Sequence, residues 1–146
     1  MTVITSLAEK RQEKQLRYER NMLRELSLEK LRTKALEHFA PFYTAYRMFP
    51  SVVEEGCMDL AIEAYLLGAR YSRFGYYGEP AASVRCRCAQ EEKYLIDTLF
   101  DFLCFWGHID DDFLSQSLYD ACEQYIGNWW TEGFERGKKR RRLKLR

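Results

Sequence analysis

Proline and glycine are scarce, three and eight in 146 residues, which excludes a chain that is low-complexity or disordered throughout. No run of about 18 uncharged apolar residues is present, so no segment reads as a membrane-spanning helix. The N-terminus lacks the apolar stretch and small-residue cleavage site of a secretory signal, and the expected setting is the cytoplasm. No segment alternates apolar and polar residues with β-branched side chains, so no sheet is expected. Histidine is limited to His38 and His108. There is no Glu-X-X-His helix pair, Gly-rich phosphate loop or nucleophile motif, and the balance leans away from an enzyme.

The five cysteines are an odd number for a disulfide framework and read first as thiols among apolar neighbours. Cys86 and Cys88 form a Cys-X-Cys pair, but two thiolates are half of a zinc site and no second pair follows. His108 beside Asp110, Asp111 and Asp112 reads as the acidic first turn of a helix rather than a ligand cluster. No metal, cofactor or catalytic residue is assigned.

What the chain does contain is apolar mass and charge, at 47% and 31% of residues. A single domain of this length buries roughly 68–70% of the surface its unfolded chain exposes, enough to fold without disulfides or a structural metal. The charge is uneven. Residues 1–35 carry nine basic and five acidic side chains, residues 36–135 six and seventeen, and residues 136–146 eight basic and no acidic ones.

Apolar residues recur at three- and four-residue spacings, which predicts an all-α, single-domain bundle of four to six helices over residues 1–135. Ser6 and Glu9 fit a capping box that opens a long charged helix. Its apolar stripe is Leu16, Met22, Leu23 and Leu26, whereas Leu28, Leu31, Ala35 and Phe39 fall on the opposite side, so the segment 1–39 breaks or changes face near Ser27. Pro41 and Pro50 bracket a short aromatic helix. Ser51 and Glu54 open another, which carries Val53, Cys57, Leu60, Ala61, Ala64 and Leu67 inward and ends near Gly68. The stretch from Arg70 to Pro80 holds two glycines and a proline and reads as a loop. One long helix runs from about Ala82 to Gly107, and the last runs from the aspartates to fraying near Gly133. No internal repeat is evident.

Three surfaces are candidates for binding. Arg136, Lys138, Lys139, Arg140, Arg141, Arg142, Lys144 and Arg146 form a tail whose neighbouring like charges repel, and it is expected to be mobile or docked on something acidic. The acidic ridges Asp97 and Asp101, and Glu55, Asp59 and Glu63, are candidates for that docking. Lys10, Lys14, Arg17, Arg20 and Arg24 share one side of the first helix, opposite Leu16, Met22 and Leu26. A candidate partner surface combines Leu16, Met22, Leu23 and Leu26 with Tyr71, Phe74, Tyr76 and Tyr77, the last four interleaved with Arg70 and Arg73 in the expected loop, a composition that suits either a protein interface or stacked bases.

The opening VITSLAEKRQEKQLRYERNMLRELSLEKLR and the closing WWTEGFERGKKRRRLKLR resemble an uncharacterised family of short proteins from Bacillus-type bacteria. The resemblance spans the chain and implies a bacterial cytosolic setting, with no activity or functional residue to carry across. The expected role is a non-catalytic protein-binding or adaptor protein, or a homo-oligomer, whose tail attaches to an acidic partner. The alternative is sequence-nonspecific nucleic-acid binding by the tail and the first helix together. Peripheral contact with an anionic membrane would use the same charges, and a metal- or thiol-dependent enzyme is the least favoured reading.

Overall fold

The first helix stops at Arg24, and Ser27 starts the next. Its backbone is extended (φ −94°, ψ 126°) and its hydroxyl accepts from the Lys30 amide at 3.3 Å, satisfying one of the donors that a helix start leaves open. The computed structural model describes residues 6–42, 51–107 and 112–143. Among these residues there are six helices and no strand: α1 (Ser6–Arg24), α2 (Leu28–Phe39), α3 (Ser51–Tyr76), α4 (Ala81–Arg87), α5 (Ala89–Gly107) and α6 (Asp112–Arg142). The expected helix between the prolines falls mostly on residues 43–50, outside the described residues, as do His108, Asp110 and Asp111.

Two long helices form the spine. The Tyr125 hydroxyl donates to the Cys57 carbonyl at 3.0 Å, Gly133 lies on the Tyr65 carbonyl, and Gly137 lies on Ser72. Partner numbers rise together along these contacts, so α3 and α6 run parallel, and they share the largest helix interface in the fold. On one flank, the Tyr65 hydroxyl donates to the Met22 carbonyl and the Tyr18 hydroxyl to the Ala69 carbonyl, both at 3.2 Å. Here the numbers run in opposite senses, so α1 and α2 form one broken arm antiparallel to the spine. On the other flank the Trp130 indole donates to Cys88 Sγ at 3.3 Å and the Tyr119 hydroxyl to Asp97 at 2.8 Å, which makes α4 and α5 a second broken antiparallel arm. Among the described residues the two arms make no substantial contact with each other. Each half of the chain is thus a broken helix followed by a long one, a repeat of layout without a repeat of sequence.

Small residues let the spine close. A Cβ at Gly68 would overlap the Trp130 carbonyl, and one at Gly133 would overlap the Tyr65 carbonyl. Around this contact Trp130, Tyr65, Tyr125, Phe39 and Phe134 are fully buried, each such side chain stabilising the fold by roughly 1.5–3 kcal/mol through removal from water. Trp130 and Phe134 stack with ring centres 4.9 Å apart.

Four sequence expectations change here. Residues 70–76 are helical rather than looped, because Gly75 is a packing position against Phe134. The stop comes at Gly78 (φ +105°), where Gly78 N–H bonds the Gly75 carbonyl and Glu79 N–H the Phe74 carbonyl. That is a Schellman ending, for which glycine is the favoured residue. The helix expected from Ala82 to Gly107 is interrupted at Cys88 (φ −115°). Finally, α6 passes through Gly133 and continues to Arg142, so residues 136–142 are a packed helix end and not a mobile tail, while Lys144, Leu145 and Arg146 lie outside the described residues.

The spine contact predicts a contrast between two glycines. Gly133→Ala forces backbone against backbone and is expected to lower stability by about 3 kcal/mol. Gly78→Ala has open space around it and loses only its backbone preference, about 1 kcal/mol. Urea unfolding midpoints of the two variants measure the difference, and equal losses would show that the α3–α6 contact does not limit the fold.

Candidate binding surface

Arm α1 is held to the spine by a few residues on one side. Met22 is fully buried and Leu26 partly so, whereas Leu16 (52% exposed) and Leu23 face outward. The expected stripe therefore splits, and Met22 is core rather than part of a partner surface. Lys10, Lys14, Arg17, Arg20 and Arg24 are all exposed, with Glu9 and Glu13 exposed among them. Glu19 is drawn away from this face to Arg70 of α3, at 2.9 Å.

The basic end of α6 is held partly within its own helix and partly by α1 and α3. Arg136 donates to Glu132 at 2.9 Å, and Lys138 sits over the Phe134 ring, 5.2 Å from its centre. Arg140 is 3.8 Å from Glu25 with its side chain only 13% exposed. Arg141 donates to the buried Ser72 hydroxyl at 2.9 Å and covers the Tyr18 ring at 4.7 Å. Ser72 in turn donates to the Ala69 carbonyl at 2.6 Å and lies 3.2 Å from the Tyr18 hydroxyl, so one small hydroxyl joins α1, α3 and α6. Successive helical residues point about 100° apart, which separates neighbouring like charges. Cations there also complement the negative end of the helix dipole. Of the acidic ridges proposed as docking sites for these charges, Asp101, Glu55, Asp59 and Glu63 are exposed, whereas Asp97 is used otherwise. Asp97 binds Lys93 at 2.6 Å and accepts from Tyr119, and these hydrogen bonds hold its carboxyl below the usual range.

Because α1 is antiparallel to α6, with Tyr18 beside Arg141 and Glu25 beside Arg140, Lys14 and Arg17 come to the same end of the bundle as the exposed Lys139 and Arg142. The aromatic run lies at this end too, on the last turns of α3. It is not an open platform. Phe74 is covered by Arg73 (4.8 Å) and Arg87 (4.2 Å), and Tyr71 donates to Glu91 at 3.3 Å. Tyr76 and Tyr77 are the exposed pair, set edge to face with ring centres 5.1 Å apart.

A second feature was not visible in the sequence. Lys30, Lys34 and His38 occupy successive turns of α2 and face α6 across a cleft of about 230 Å³, whose far wall includes Asn128, Trp129 and Glu132. The i, i+4, i+8 spacing was there to read, but nothing in the sequence says which helix that face meets.

The Cys-X-Cys pair is divided. Cys86 is exposed, while Cys88 is buried, donating to the Val84 carbonyl and accepting from Trp130; burial raises its thiol pKa, the Trp130 hydrogen bond acting in the opposite sense. Cys57 and Cys122 are buried, and desolvation pushes the Cys57 thiol up to about 12. Among the described residues no group of three His, Cys, Asp or Glu side chains is placed to hold a metal ion. In the native protein at pH 8, alkylation is expected to label Cys86 at least about tenfold faster than Cys57, Cys88 or Cys122, because the thiolate is the nucleophile and burial suppresses it. Mass mapping of the labelled peptides checks this, and rapid labelling of Cys88 would contradict the inward placement.

Among the described residues no helix is long and apolar enough to cross a membrane. Compared with known proteins, the chain is 36% identical to the uncharacterized protein YbaK of Bacillus subtilis (strain 168), over 147 residues that cover all of both chains. No solved structure matches it. The family model described as "Protein of unknown function (DUF2521)" matches residues 1–146. The relative and the family model agree over the full length, and the chain belongs to the DUF2521 family.

Proposed function

We propose that the protein is a non-catalytic binding protein that takes an acidic partner protein on the basic end of its bundle. The observation that carries this reading is the convergence of α1 and α6: the Tyr18–Arg141 contact fixes two basic segments, far apart in sequence, side by side. Opposite charge across such a surface raises the encounter rate and rejects partners of like sign.

Two features favour a protein over a nucleic acid as the partner. Glu9 and Glu13 stand exposed among the α1 cations and would oppose a continuous row of phosphates. Leu7, Leu16 and Leu23 are exposed on the same helix, with Tyr76 and Tyr77 at the end of α3, and such apolar and aromatic groups supply the contact area of protein interfaces. Arg136 and Lys138 are engaged by side chains one turn earlier in α6, and Arg140 and Arg141 by α1 and α3, which leaves Lys139, Arg142 and the α1 face to meet the partner.

The test is affinity purification from cells of the wild-type chain and of a Lys14→Glu, Arg17→Glu, Arg142→Glu variant, with and without nuclease. These side chains are exposed, so the thermal midpoint should be unchanged. The expected result is one stoichiometric acidic protein that survives nuclease and is bound at least about tenfold more weakly by the variant. Recovery of nucleic acid that disappears with nuclease, with affinity falling steeply as salt rises, would replace this reading with polyphosphate binding. Equal retention by both chains would remove the basic end from the interface.

A further inference from the structure

The cleft between α2 and α6 has the composition of a site for a small anion. Its residues belong to α2 and to the middle of α6, none of them to α1 or to the basic end. Lys30 and Lys34 stand one turn apart on the same side of α2, with His38 one turn further on. The one carboxylate among the lining residues is Glu132, and it is already shared. Its Oε1 takes Lys30 Nζ at 3.1 Å and Arg136 Nε at 2.9 Å. Two cations on one carboxylate leave a net positive charge at the cleft mouth. Burial raises the Glu132 carboxyl and the bonds from Arg136 and Lys30 more than reverse it, so it stays ionised and both cations stay engaged. Lys34 brings a further ammonium group, 3.8 Å from Glu37 of its own helix with both side chains exposed, so three cations against two carboxylates keep the surroundings net positive.

The remaining groups supply direction and a wall. Nδ1 of His38 lies 3.2 Å from the Lys34 carbonyl; with its proton there, Nε2 is an acceptor, suited to a hydroxyl of the organic part rather than to the phosphate. Asn128 is exposed at the cleft and offers an amide donor. The rings of Tyr125 and Trp129 close the inner side, with His38 packed edge-on to Tyr125 at 5.4 Å between ring centres. Ordinary ligand pockets occupy about 300–1,000 Å³, so a cleft of about 230 Å³ suits one charged group and a body no larger than a single ring. Two lysine ammonium groups, which act as point charges, match a dianionic phosphate better than a monoanionic carboxylate.

We infer that the α2–α6 cleft binds a small phosphomonoester, its phosphate between Lys30 and Lys34 and its organic part against Trp129.

The experiment uses the full chain and phenyl phosphate as the probe, followed by the Asn128 side-chain amide and Trp129 indole signals in 15N–1H spectra. Saturable shifts of both signals are expected. Lys34→Gln, an exposed substitution, should raise the dissociation constant about tenfold or more, and Arg142→Gln should leave it unchanged. Phenylacetate, with one negative charge on a similar frame, should bind about tenfold more weakly. Non-saturating shifts, or equal weakening by Arg142→Gln, would overturn the site in favour of general attraction to basic surface. Equal binding of phenylacetate would overturn the phosphate assignment. Loss of the acidic partner in the Lys14, Arg17 and Arg142 variant has no bearing on these signals, so the two proposals fail separately.

Discussion

No side chain stands between the backbones of α3 and α6 at Gly68 and Gly133, and the rest of the molecule is arranged around that approach. Two helices so close leave a groove on each side of the pair. The α1–α2 arm lies along one groove and the α4–α5 arm along the other, each packed on both spine helices, with no substantial contact between the arms among the described residues. The large side chains sit above and below the small ones. Trp130 and Phe134 fill the α4 side, whereas Phe39 meets Tyr125 edge to face on the α2 side. A core of this kind tolerates little change in volume, because interiors are packed as densely as organic crystals.

The parallel spine also decides where charge collects. Parallel helices bring two carbonyl ends together, and the partial negative charges there add instead of cancelling. The cations at the end of α6 sit on that side of the molecule, and α1, running the other way, adds those near its own start. Acidic residues are used mainly as local partners within the body: Glu19 for Arg70, Glu54 for Arg32, Glu79 for Arg87, Glu92 for Arg85. A near-neutral chain thereby gathers the exposed Lys14, Arg17, Lys139 and Arg142 at one end.

Much of this was legible in the residues. Periodicity identified the helices and the face change at Ser27 located the first break, since both depend on local chemistry that the chain carries with it. Glycine misled the reading because it has two uses. Gly75 and Gly133 resemble helix stops in sequence, yet each lies inside a helix where another element presses on it. Gly78 is the one that turns the chain. Like charges in Arg140, Arg141 and Arg142 suggested a mobile segment, and what offsets their repulsion is a set of distant partners for the first two, Glu25, Tyr18 and Ser72, that only the fold brings near. The α2–α6 cleft was hidden for the same reason, its two walls being about ninety residues apart in the chain.

The layout has a consequence for how the chain is made. The first half, α1 to α3, is a hairpin whose small-residue face is built to receive α6, a helix that emerges from synthesis only after α4 and α5. Until then the Gly68 side of α3, with Ala61 and Ala64 beside it, has no cover. Exposed surface of that kind on a nascent chain invites premature association. The charged and strongly polar α1 arm travels with α3 through this interval, and repulsion between the cations of two such arms opposes that association.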